Sequence, residues 1–517
     1  MKKIIVVALL GLIAISAPGK CFAVKPITIF QQNLSKRYYQ DTGRIKPVIP
    51  GDFADPSVIR VGNTYYATGT SSEWAPHYPL FKSEDLIHWK EAGYIFDKTP
   101  EWASSSFWAP ELFYRNGTYY VYYTARKKAD GISCIGVATS EDPEKGFTDR
   151  GIVVEHGKEA IDAFITEEKD RWYLSFKAYG LDDRPIELLG YELSPDGLST
   201  IGQPFMLLRD DKRKGLEGQC IIKRNDYYYL LYSAGGCCGV QCSYHVNVAR
   251  SASLKGPYTS YQNNPVMDGF DNWKCTGHGT IVSDQKGDDY YMFHAYNKKS
   301  DVFTGREGML SRVHWNKDTG WPDFEWISGQ EVKGFTDDFN TERLSAAWQW
   351  DFRHARLDIK VKKGQLHLSG IAVAGNTSGT ALTLRPAQYN YELSTTVLNY
   401  NRSSKGLVLY GDADQAIGIA AQGNQVVVWS TNDKTMVVHQ TAVLRQQLPV
   451  HLKMIVAGKK TIQFFYSIDK QKWQEIEVGD FDNNLTPPWD RSARPGLLQR
   501  GQEPAIFEDF NIRYFQE

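Results

Sequence analysis

The sequence predicts an all-β protein in two parts, a five-bladed β-propeller followed by a β-sandwich. Three observations carry this: a fivefold internal repeat, a strand-turn-strand pattern with an aromatic pair inside each repeat, and a change of pattern after Trp321 and Pro322. Each unit has a polar or acidic opening position, an apolar strand, a Gly, Asn or Asp turn, and a second strand led by aromatic residues. The units read ADPSVIRVGNTYYATG, APELFYRNGTYYVYY, IDAFITEEKDRWYLSF, LEGQCIIKRNDYYYLLY and GHGTIVSDQKGDDYYMFH. Their aromatic pairs end at Tyr66, Tyr120, Tyr173, Tyr229 and Tyr291, spacings of 54, 53, 56 and 62 residues. Further short strand patterns such as IGVATS and VNVARS fill the intervals, so each unit supplies about four strands, the signature of a propeller blade. Radial stacking then supplies the core and aims the first strand of every blade at the central axis.

The elements before and after the repeat follow from local pattern. Residues 1–23, MKKIIVVALLGLIAISAPGKCFA, carry two lysines, an apolar run, a Pro-Gly break and a small residue at Ala23, the layout of a secretory signal peptide. Lipidation at Cys21 is the rival reading, disfavoured by the Lys20 before it. The propeller is expected over 24–333 and the sandwich over 334–517. The sandwich region opens at DDFNTERLSAAWQW and holds alternating strands such as LDIKVKKGQLHLSG, YELSTTVLNY, GLVLYGD, QVVVWST and AIFEDFNIRYF.

Loss of Lys2, Lys3 and Lys20 with the leader moves the formal charge from −1 to −4. That balance excludes nucleic acid or an anionic membrane as the main partner. An exported chain, periplasmic or extracellular, keeps Cys134, Cys220, Cys237, Cys238, Cys242 and Cys275, and in an oxidising compartment disulfides are expected. The run SAGGCCGVQCSYH also has zinc-like spacing at Cys238 and Cys242, but no second ligand pair follows. Export favours a disulfide, with Cys275 a natural partner for this loop and the adjacent Cys237 and Cys238 leaving the connectivity open.

Chemistry collects at the blade heads: Asp55, the segment Trp108-Ala109-Pro110-Glu111, Asp162, Glu217 and His278. Burying unpaired carboxylates together is costly and raises their proton affinity. Glycosidic cleavage uses such an arrangement, one carboxylate ionised as a base and another protonated as an acid. The strings PGDFADPSVI, FWAPEL, IDAF around Asp162, LEGQ around Glu217, GHG around His278 and GRE around Arg306 run in order from Pro50 to about Pro322, and together they resemble glycoside hydrolase family 43.

The resemblance implies an inverting exo-glycosidase with Asp55 as general base, Glu217 as general acid, and Asp162 as the third acid that tunes and orients Glu217. Inversion requires the two carboxyls roughly 6.5–9.5 Å apart, with room for a water. Phe53, Trp108, His278 and Arg306 are candidate substrate contacts, the aromatic pair as walls against the C–H face of a sugar. No cofactor is required; a water-ligated calcium near His278 is compatible with the family, although His is a poor direct ligand for it. The C-terminal part resembles the concanavalin-like sandwich often joined to such enzymes, where it either closes the pocket or binds glycan independently. The expected partner is an oligosaccharide or polysaccharide losing a terminal pentose. α-L-Arabinofuranose is favoured, with β-D-xylose next and β-D-galactofuranose third, and a non-catalytic glycan-binding propeller is the reading from another class. The sequence assigns no oligomeric state.

Overall fold

A computed structural model describes residues 45–300, 303–445, 449–458, 461–478, 485 and 488–516. The leader expected over 1–23 lies outside the described residues. Among the described residues no helix is long and apolar enough to cross a membrane.

Five antiparallel sheets form the blades. Blade 1 is built from Ser57–Val61, Thr64–Thr68, His77–Ser83 and Lys90–Phe96, and blade 2 from Ala103–Arg115, Thr118–Lys127, Ser133–Ser140 and Thr148–Val154. Blade 3 follows with Ala160–Glu168, Arg171–Ala178, Ile186–Leu193 and Thr200–Asp210, then blade 4 with Glu217–Arg224, Tyr227–Ala234, His245–Ser251 and Thr259–Ser260. Blade 5 contains Trp273–Ser283, Asp289–Asn297, Glu307–Trp315 and Pro322–Ile327, and it takes in Ile49–Asp52 from the chain before blade 1. That strand pairs antiparallel with the third strand of blade 5, Ile49 opposite Gly308 and Asp52 opposite Glu307. The ring is therefore closed by the two ends of the repeat.

Apolar residues fill the gaps between blades, because each blade can bury its faces only against its neighbours. Tyr78 and Ile95 of blade 1 meet Phe107 and Tyr123 of blade 2, and Val282 and Met292 of blade 5 meet Val58 and Ala67 of blade 1. The free thiols Cys134 and Cys220 are buried in this packing.

The sheet affiliation changes between Ile327, the end of blade 5, and Gly334, where a strand joins the sandwich. One sandwich sheet has eight strands, centred on Ala505–Tyr514 and Tyr391–Val397, and the other has six, centred on Arg494–Arg500 and Ser404–Asp412. Leu368, Leu407, Leu452, Phe464 and Phe507 fill the space between them.

The outer face of the six-stranded sheet receives the propeller. Trp74 of blade 1 is buried among Val408, Tyr410, Val427 and Trp429, with the Arg494 guanidinium 4.1 Å from its ring centre. The short strand Trp74–Ala75 pairs with Trp350–Asp351, and Gln349 Nε2 donates to the Pro76 carbonyl at 2.8 Å. Burying a tryptophan in a fitted socket makes this seam a core rather than a loose contact. Trp74→Ala should cost about 3–5 kcal/mol, read by chemical denaturation; a loss under about 1 kcal/mol would show that the seam contributes little.

Candidate active site

Each blade carries a left-handed residue within its first strand or, in blade 1, just before it: Asp55 (φ 51°), Ala109 (φ 37°), Asp162 (φ 60°), Gly218 (φ 59°) and His278 (φ 27°). In blades 2 to 5 a break in strand register accompanies it, so the chain bulges and the side chains turn toward the axis. Asp55, Ala109, Asp162 and Gly218 each stand four residues before the residue paired with the repeat tyrosine, whereas His278 stands three before. Glu217 thus precedes its blade's register-equivalent position by one residue. The three carboxylates share the axis but not one register.

Gly218 explains the offset. Its backbone is left-handed, and a Cβ there would lie 2.8 Å from His278 Cγ, so only glycine lets the His278 ring pass. The Gly218 amide also donates to Asp162 Oδ2 at 3.1 Å, tying the third carboxylate to the chain that bears Glu217.

Asp55 is the most heavily supported. Its Oδ1 accepts from Arg306 Nη1 at 3.0 Å, its Oδ2 from Thr70 Oγ1 at 2.7 Å, and its own amide donates to His294 Nδ1 at 3.1 Å. Burial raises its proton affinity, but Arg306, His294 and His278 outweigh burial and hold the carboxyl well below the usual range. Asp162 has no such cation in contact. Burial pushes it up, His278 and Lys177 pull it down, Glu217 pushes it up again, and the result is about 6. Glu217 Oε2 accepts from Lys177 Nζ at 2.6 Å; burial raises its affinity for a proton, yet Lys177, the Tyr244 hydroxyl and His278 lower it overall. His278 Nδ1 lies 3.5 Å from Asp55 Oδ1 and 3.8 Å from Asp162 Oδ2, between the two.

The remaining candidates divide. Arg306 is buried against Asp55 and also donates to Cys237 Sγ at 3.6 Å. Trp108 is half-buried at the mouth, its Nε1 donating to Asp490 Oδ2 at 3.3 Å and its ring 5.8 Å from that of Trp489, both residues of the sandwich. Phe53 is a correction. It is wholly buried, edge-on to Phe81 at 5.3 Å and wedged by Gly69 and Gly308, so it presents no surface to a sugar. Glu111, in the FWAPEL segment, is likewise internal: Ser57 Oγ donates to it at 2.7 Å, and burial lifts it to about 8, which keeps it neutral.

Among the described residues no group of three or more His, Cys, Asp or Glu side chains could hold a metal ion. The cysteine-rich loop pairs as Cys237–Cys238 and Cys242–Cys275, so its sulfurs are disulfides rather than zinc ligands.

Four residues around the carboxylates escaped the sequence reading: Lys177, His294, Thr70 and Tyr244. Lys177 and His294 had left a trace, as basic residues inside the largely apolar runs LSFKA and MFHAY. A fifth, Asp52, accepts from the Arg306 amide at 3.2 Å and from the Ser492 amide at 3.1 Å, joining the active-site arginine to the sandwich.

Paired buried carboxylates with opposed proton affinities are the arrangement that glycosidic cleavage uses. A profile of the Glycosyl hydrolases family 43 matches residues 45–322, and a profile of the beta xylosidase C-terminal concanavalin A-like domain matches residues 336–488. The chain belongs to glycoside hydrolase family 43, whose members are glycosidases. It is 29% identical over 312 residues to an extracellular exo-α-(1→5)-L-arabinofuranosidase of Cellvibrio japonicus, covering 52% of this chain and 86% of that one. Identity to a β-xylosidase of Bacillus subtilis is 21% over 515 residues, 86% of this chain and 93% of that one. In fold it is similar to a family 43 protein of Bacillus licheniformis, with TM-score 0.79, 22% identity, and coverage of 91% of this chain and 100% of the other.

Gly218→Ala should cost about 1–2 kcal/mol in stability from the left-handed backbone alone. By displacing His278 from between Asp55 and Asp162 it should also lower kcat/KM at least about tenfold. Unchanged kinetics would mean that His278 does not depend on that close approach.

Proposed function

We propose that the chain is an exported, inverting exo-glycosidase that removes a terminal pentose from plant-type oligosaccharides or polysaccharides, α-L-arabinofuranose in first place. Asp55 is the general base, Glu217 the general acid, and Asp162 the group that stores and returns the acid's proton. The carrying observation is the opposed electrostatics of the three carboxylates. A base must start ionised, and Arg306 and the histidines hold Asp55 so. Lys177 opposes a proton on Glu217, while burial and the Glu217 charge raise the Asp162 carboxyl to about 6, so the two titrate as a pair. Glu217 acts as the acid within that pair.

The exo character is supported by the mouth. Trp489 and Asp490 of the sandwich meet Trp108 of blade 2, so a second domain walls the propeller on that side, as a site for chain ends requires. Export is supported by the leader-like start and by relatives named extracellular, among them an arabinanase of Bacillus subtilis. Arabinofuranose is supported by the Cellvibrio relative and by a non-reducing end α-L-arabinofuranosidase of Bacteroides ovatus, 26% identical over 391 residues. β-D-Xylose is the second reading, favoured by the Bacillus subtilis β-xylosidase, because that match extends over 86% of this chain.

A panel of 4-nitrophenyl α-L-arabinofuranoside, β-D-xyloside and β-D-galactofuranoside, with the product anomer followed by NMR, tests sugar and stereochemistry together. Fastest turnover of the arabinofuranoside with inverted product is expected, and retention of configuration would refute the mechanism. The proton assignment has its own test. The acid must be protonated, so activity falls as pH rises through the pair's proton affinity, near Asp162's value of about 6. Lys177→Met removes the charge that disfavours a proton on Glu217, and should move this alkaline limb to higher pH. A limb that stays fixed or moves down would overturn the assignment.

A further inference from the structure

We propose that the disulfide between the adjacent residues Cys237 and Cys238 is a wall of the sugar pocket, a rigid apolar plate that packs on the terminal sugar bound over Asp55. The proposal rests on the glycosidase reading of the site. Position is the first observation. Arg306 Nη1 makes two contacts, to Asp55 Oδ1 at 3.0 Å and to Cys237 Sγ at 3.6 Å, so one guanidinium nitrogen separates this sulfur from the base. On its other side the loop packs on Tyr244, whose hydroxyl bonds Glu217. The disulfide is thus held between a partner of the base and a partner of the acid, and a ring spanning the two carboxylates passes beside it.

The second observation is how firmly the plate is held while remaining accessible. Cys237 and Cys238 are half-buried, neither sealed in the core nor free in solvent. The Cys238 amide donates to Cys242 Sγ at 3.3 Å, the Gly239 amide donates to the Tyr296 hydroxyl at 3.2 Å, and the second disulfide, Cys242–Cys275, anchors the loop to the first strand of blade 5. A Cβ on Gly239 would lie 3.8 Å from Trp489 Cβ, so the loop runs close to the sandwich residue that meets Trp108.

Chemistry supplies the third step. A disulfide bears no donor, its sulfurs are soft and polarizable, and a sulfur accepts only weakly, so Arg306 keeps its strong bond to Asp55. Adjacent cysteines close a small ring through the peptide between them, and such a plate has no side-chain freedom left to lose when a ligand packs on it. Its apolar edge suits the C–H face of a pentose, while hydroxyls turn toward the polar floor.

The test compares two double variants, Cys237→Ala with Cys238→Ala, and Cys242→Ala with Cys275→Ala. For the first pair we expect KM on the best aryl pentoside to rise at least about tenfold, kcat to change much less, and the thermal midpoint to hold. The second pair should lower the midpoint, because it removes a staple rather than a contact. A KM within twofold of wild type, or a KM rise that only accompanies a lower midpoint, would overturn the platform. Binding of arabinotriose and xylotriose to Asp55→Asn chains, followed by tryptophan fluorescence, separates this from the functional reading. If wild type hydrolyses no pentoside yet trisaccharide affinity still falls at least tenfold without the vicinal disulfide, the platform stands and the enzymatic reading fails. If affinity is unchanged, the platform fails whatever the catalytic result.

Discussion

The site depends on one strand pairing, Ile49–Asp52 against the start of Glu307–Trp315. These segments lie more than 250 residues apart in the chain, and their pairing closes the propeller. Its last rung runs on into the Phe53 amide, which donates to the Arg306 carbonyl at 2.7 Å, and two residues later comes Asp55. Asp55 and Arg306 are therefore brought together by the same hydrogen bonds that close the ring. Glu307 completes the joint from beneath: it accepts from the Gly51 amide and from Thr304, and burial lifts its carboxyl to about 8, so it holds the closing strand as a neutral acid. An open ring would leave Asp55 without the cation that keeps it ionised.

That closure also sets how the burial of three carboxylates is offset. Each buried charge needs a partner or it takes up a proton. Asp55 has Arg306 and Glu217 has Lys177, one cation to each. Asp162 receives an amide from Gly218 and a more distant histidine, and it is the one whose proton affinity rises. The division of labour follows from where the two cations stand, Arg306 just before the third strand of blade 5 and Lys177 on the second strand of blade 3, rather than from any difference among the carboxyl groups themselves.

Much of this was legible in the sequence, for a stated reason. The repeat at Tyr66, Tyr120, Tyr173, Tyr229 and Tyr291 is a packing constraint repeated five times, and repetition lifts it above local noise. Asp55, Asp162 and Glu217 were readable because their order along the repeat matches their order around the axis. What stayed hidden depends on pairings between distant segments. Phe53 looked like a wall because residues two apart in a strand share a face, but the left-handed backbone at Asp55 breaks that alternation and Phe53 packs in the core beside Phe81. The one-residue offset of Glu217 could be counted, since Asp55 and Asp162 stand 11 residues before Tyr66 and Tyr173 and Glu217 stands 12 before Tyr229, but its cause, the close approach of Gly218 to His278, is a tertiary contact. Asp490 and Trp489 carry no signal at all in the sequence near blade 2, since 382 residues separate Asp490 from Trp108.

Those last contacts bear on what the sandwich is for. A domain that only tethered the enzyme to glycan would need a linker and a face of its own, and its removal would leave the propeller's surface polar. Here Trp74 is seated in the six-stranded sheet and Tyr94 donates to the Ala346 carbonyl. The same sandwich strand edge that holds Arg494 against Trp74 begins just after the Trp489–Ser492 turn, which reaches Trp108, Asp52 and Gly239. Docking and the contact with Trp108 are thus consecutive along one stretch of chain. Trp489, still 58% exposed, is the exception among large apolar residues at this seam. An indole held beside Trp108, rather than buried beneath it, keeps an apolar face open next to blade 2, the kind of surface a ligand can cover.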